Sequence, residues 1–166
     1  MVLNDTDPTM QAINDAIAEG RAGNVTSARA TLLDLWAGLG DPLHRCWLAH
    51  SLADLYDDPA RSLAWDVRAL DAADALDAED VQERAGISLP GCYPSLHLNL
   101  ADNYRRLGSF EAAAEYLERA EAVCAELPDD AYGEMMRPLF GVERELLARR
   151  DTSALDAATI TPGSAT

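Results

Sequence analysis

LHLNLADNYRRLGSFEAAAEYLERAEAVCA, residues 96–125, is the stretch on which the fold turns. Its first half sets Leu96, Leu100, Ala101, Tyr104 and Leu107 at three- and four-residue intervals, which places them on one face of a helix. Gly108 then stops that helix, because the position past a last turn favours a positive φ that glycine adopts freely. Ser109 is placed to cap a second helix, whose apolar stripe is Ala113, Leu117, Ala120 and Cys124. Bulky residues meeting alanines let two backbones approach closely. The spacing therefore predicts two antiparallel helices joined by a tight turn.

Those positions also carry a resemblance. Leu100-Ala101, Tyr104, Gly108, Ala113, Leu117 and Ala120 stand in the order and at the spacings of the tetratricopeptide-repeat signature. His97 takes the place of the family's opening Trp, and its closing Pro arrives late, as Pro128. The resemblance implies an all-α, right-handed superhelical stack of antiparallel helix pairs, an α-solenoid that serves as a scaffold for binding other proteins.

Upstream the same device recurs in weaker form. Asp7-Pro8 reads as a helix start, and Met10, Ile13, Ala16 and Ile17 make an apolar stripe that fades at Gly20. Gly23-Asn24 is the turn to a helix marked by Ala28, Leu32, Leu35, Trp36 and Leu39. Asp41-Pro42 starts the next pair. There LADLY, residues 52–56, echoes LADNY, residues 100–104. Asp58-Pro59 starts its partner helix, running to Leu76, where Trp65 falls at the place of a small residue. Either the turn is shorter by a residue, which would put Ala64 there, or this pair packs differently. Residues 77–94 read as an insertion whose first part extends this helix and whose second part, with Gly86, Pro90, Gly91 and Pro94, is a loop.

The expected organisation is a single domain over residues 1–150, with helix pairs at about 8–39, 42–77 and 94–127 and a final helix at about 130–150. That last helix is expected to cap the open face of the anchor pair, since an uncovered solenoid end leaves apolar surface wet. Pro138 inside it should kink or divide it. Residues 1–6 read as frayed, and 151–166 as a disordered tail with few contacts.

Composition narrows the function classes. A net charge of −16, with every basic residue an arginine, argues against direct binding to a phosphate backbone. It permits a basic partner, or serves nothing beyond solubility. No apolar run is long enough to span a membrane, and the N-terminus has no basic region followed by an apolar core. With three widely spaced cysteines, the expectation is a cytoplasmic protein with reduced thiols.

No phosphate-binding glycine loop, nucleophile elbow or paired-histidine zinc motif is present. No enzyme, cofactor or metal is expected. The nearest thing to a metal site is Cys46 and His50, four residues apart on a predicted helix, with His97 or Cys92 as a distant third ligand. The plainer reading makes Cys46 a small core residue.

The family resemblance also implies a concave groove lined by the first helix of each pair. Trp47, His50, Asp54 and Asp57 would look into it from the second pair, and Ser95, Leu98, Asp102 and Arg105 from the third. Met10, Ile13, Ile17 and Arg21 would do so from the first. Asp54 and Asp102 stand where family members that hold chaperone C-termini carry basic and asparagine residues, so the resemblance does not extend to that ligand. The expected function is a non-enzymatic module that holds a peptide or protein segment, for which the net charge permits a basic one. The alternatives are an acidic mimic that occupies a nucleic-acid-binding protein, or a metal-dependent sensor or enzyme on Cys46, His50 and His97.

Overall fold

The computed structural model describes residues 7–155. They are helical, with no strand among them. None of the helices is long and apolar enough to cross a membrane. The chain gathers into two compact units, divided between Leu89 and Pro90.

The first unit holds α1 (Pro8–Arg21), α2 (Val25–Trp36), α3 (Pro42–Ala53), α4 (Pro59–Asp74) and α5 (Ala78–Ala85). Aspartate caps start four of these helices. Asp7 accepts from the Thr9 and Met10 amides at 3.0 Å. Asp41 accepts from Leu43 and His44 at 2.9 and 3.1 Å. Asp58 and Asp77 do the same for α4 and α5. Each such bond satisfies an amide that has no carbonyl one turn earlier, a contribution of about 0.5–2 kcal/mol per cap. Gly23, at φ 99, makes the turn between α1 and α2.

Helices pack in pairs, α1 on α2 and α3 on α4. Ile13, Ala16, Leu32, Leu48 and Leu52 form the core, with Trp36, Trp47, Tyr56 and Trp65 half-buried around it. Residues 77–94 do not prolong α4. Asp77 caps a separate helix that ends at Gly86, φ 66. Arg84 on that helix reaches Asp41 at 2.9 Å and Asp80 at 3.0 Å, tying α5 to the start of α3. Ala64 is exposed, so the shorter-turn alternative does not hold. The buried face of α4 is instead Ser62, Asp66, Ala69 and Ala73. Trp65 meets the Trp36 ring edge-to-face at 5.0 Å.

In the second unit a 3-10 turn (Pro90–Cys92) leads into α6 (Tyr93–Arg106), followed by α7 (Phe110–Ala122) and α8 (Ala131–Ala148). Gly108 stands just past α6 with φ 78, as its position predicts. Leu100, Ala101, Ala113 and Ala120 are fully buried. Along the α6–α7 seam the rings of Tyr93, His97, Tyr116 and Tyr104 follow one another at 5.8, 6.0 and 5.4 Å.

The last helix packs on both members of the pair and supplies Met136 and Phe140 to a core with Leu98, Leu117 and Leu127. Of the kink or division expected at Pro138, the division is absent, since one helix runs through that residue. Pro138 is exposed, so the carbonyl its ring leaves unbonded lies on the solvent side. Asp151 and Ser153 also depart from expectation, because their carbonyls accept bonds from Arg105. The rest of the expected tail, 156–166, and the expected fraying of 1–6 lie outside the described residues.

Candidate functional site

On α3, Trp47, His50 and Asp54 follow one another at three and four residues and share a face. The indole N–H of Trp47 donates to Asn14 Oδ1 on α1 at 3.0 Å, which fixes the ring half in and half out of the core. His50 turns Nδ1 toward Asp66 of α4, 3.4 Å from Oδ1, and the Ser62 hydroxyl is 3.5 Å from Oδ2. Asp66 is wholly buried, while the His50 side chain keeps a quarter of its surface. Burial opposes charge on His50. The bond to Asp66 and the negative charges of Asp54 and Asp66 outweigh it and raise the imidazole above its ordinary value.

Asp54 is the C-cap residue of α3 and is exposed, as is Asp57 just beyond. Its place after Leu52-Ala53, matching Asp102 after Leu100-Ala101, predicts a mid-helix position that the structure does not show. Helix α3 ends at Ala53, ahead of the restart imposed by Asp58-Pro59, whereas α6 continues to Arg106. Met10 and Ile13, expected in the groove, are core residues at 4% and 0% exposure.

In the second unit the expected groove residues are covered. Leu98 lies in the core between Leu117 and the α8 residues. Ser95 is buried and donates to the Cys92 carbonyl at 2.9 Å. Arg105 has no exposed surface. Its Nε donates to Glu143 Oε1 on α8 at 2.8 Å, and its Nη2 donates to Asp102. Arg106 stands 3.7 Å from the other Asp102 oxygen. Burial pushes the carboxyls of both Asp102 and Glu143 upward, and the arginine charges only partly reverse that. Glu143 Oε2 is buried with no hydrogen-bond partner.

Leu98, Asp102 and Arg105 therefore do not form an open partner surface. A helix folded over their face converts it into a core with an internal ion network. Sequence reasoning missed Glu143, although a carboxylate between Phe140 and Leu147 in an apolar stripe was a signal for a buried cation opposite.

Cys46 is buried and in no disulfide, the His97 ring lies against those of Tyr93 and Tyr116, and His50 faces Asp66. Among the described residues no group of three or more His, Cys, Asp or Glu side chains is placed to hold a metal ion.

Comparison with protein-family models, curated proteins and solved structures finds no match.

Proposed function

We propose that this chain is a non-enzymatic protein-interaction module. Its antiparallel helix pairs would stack into a right-handed, tetratricopeptide-like superhelix, with a basic segment of a partner protein held on the α3 face. One observation carries the reading: Trp47, His50 and Asp54 share that face, a pinned and half-exposed indole beside a solvent-facing carboxylate. The methylene stem of a lysine or arginine lies along such a ring while its charged head reaches Asp54 and Asp57. Cys46, Cys92 and Cys124 form no disulfide, which fits a reducing cytoplasm.

The test is a panel of short peptides that interleave lysine or arginine with leucine, titrated into the full chain. An exposed ion pair contributes about 0.2–1 kcal/mol, so Asp54→Asn with Asp57→Asn weakens binding roughly 2- to 30-fold at unchanged melting temperature. Added salt weakens the parent complex in the same direction. Binding also strengthens as pH rises and His50 loses its charge. Equal affinity in parent and double variant would overturn the reading.

A further inference from the structure

Arg105 is a guanidinium with one edge left over. Glu143 and Asp102 hold its Nε and Nη2 and so fix its plane. Nη1 then donates to two main-chain carbonyls, those of Asp151 and, at 2.9 Å, Ser153. The chain arrives there by a built turn. Arg150 takes the left-handed conformation at φ 52, and its amide bonds the Leu147 carbonyl while that of Asp151 bonds Leu146, each at 2.9 Å. Asp151 Oδ1 next accepts from the Ser153 amide at 2.8 Å, which orients both carbonyls toward Arg105.

The side chains of the segment contribute little to this hold. Thr152, Ser153 and Ala154 are exposed. Contact through main-chain acceptors is blind to sequence, and a segment with so little buried apolar surface opens at low local cost. The donor, by contrast, is buried and preorganised by carboxylates from two helices.

We propose that Arg105 marks a binding site for the backbone of an extended peptide segment, which residues 151–155 fill as a displaceable strap. A partner segment that presents two carbonyls, two residues apart, takes over the same Nη1 donors. The reading as an interaction module supplies only the identity of the displacing segment. The experiment uses the chain's own sequence as its probe, so failure of the α3 face would leave the outcome here unaffected.

The probe is a labelled synthetic peptide with the sequence of residues 148–155, added to the full-length parent and to Asp151→Ala. That substitution loosens the turn without touching Arg105 or its carboxylates. In the parent the tethered strap competes at high effective concentration, so the variant binds the peptide at least about tenfold more tightly. Exchange of the Arg105 Nη1 hydrogens is slow in the parent, fast in the variant and slow again once the peptide saturates it. A peptide with a thioamide in place of the Asp151 carbonyl, a weaker acceptor, binds less well. Slow Arg105 exchange in the variant overturns the proposal. So does failure of the fast-exchanging variant to bind the peptide at any concentration, or indifference to the thioamide.

Discussion

A methyl group at Gly133 would fall 1.9 Å from the Pro128 carbonyl oxygen, a contact no side chain can relieve by rotating. Arg137 braces the same turn by donating to the Leu127 and Pro128 carbonyls at 3.1 and 3.2 Å. Gly133→Ala is therefore expected to destabilise the chain by roughly 1–3 kcal/mol, although alanine is the better helix former by about 1 kcal/mol. Gly141, in the same helix, has nothing within 4 Å of such a methyl. Gly141→Ala is expected to stabilise by about 0.5–1 kcal/mol. Urea midpoints of the two variants should move in opposite directions, and equal shifts would mean that the turn at 128–133 yields. At this scale the sequence is informative where the cause is local. The turn conformation of Gly108 and the caps at Asp7, Asp41 and Asp58 follow from residue type and neighbours. The unlike fates of Asp54 and Asp102 do not, since one ends a helix and the other lies beneath Arg105.

Helix α8 shows what an element can conceal in sequence. Its stripe of Met136, Phe140 and Leu147 predicts a cover for the anchor pair, and α8 packs on both α6 and α7. The same covering explains why Leu98 and Arg105 were misplaced. A family resemblance treats the first helix of a pair as open on its groove side, and only a helix whose Glu143 lies 38 residues beyond Arg105 closes it. The short helix α5 was misread because nothing in its length separates a continued α4 from a new start. The decisive residue is Asp77, whose side chain accepts from Glu79 and Asp80. Pro138 offers the test at this level. With the helix intact around it, Pro138→Ala restores an amide bond to the carbonyl one turn earlier. The expected gain is up to about 3 kcal/mol, less the entropy that proline removes from the unfolded chain. A higher melting temperature with unchanged helix content checks it. A lower one would mean that the ring itself packs against a neighbour.

Over the whole molecule, perturbed titrations and a net charge of −16 point to one pH profile. Burial works against charge on His50, yet its bond to Asp66 and the charges of Asp54 and Asp66 leave its folded value raised. Stabilisation from such a group is full below the unfolded pKa, near 6.5, and is lost as pH rises through the folded value. Asp102 and Glu143, raised by burial, act in the same sense at lower pH, because the folded chain holds their protons longer than the unfolded one. Asp7 opposes them. The Met10 amide bond is the largest cause of its lowered value, so its contribution disappears only as pH falls through that folded value. Asp41 behaves alike, burial being outweighed by the His44 amide and Arg84. Self-repulsion among the many carboxylates also grows as they ionise. The melting temperature is therefore expected to peak between roughly pH 5 and 6.5 and to decline toward pH 8. His50→Gln should flatten the decline through neutrality, and Glu143→Gln should flatten it on the more acid side. Thermal melts at fixed ionic strength across that range decide the matter, and a melting temperature that climbs through neutrality would show that neither His50 nor the buried Arg105 network sets the profile.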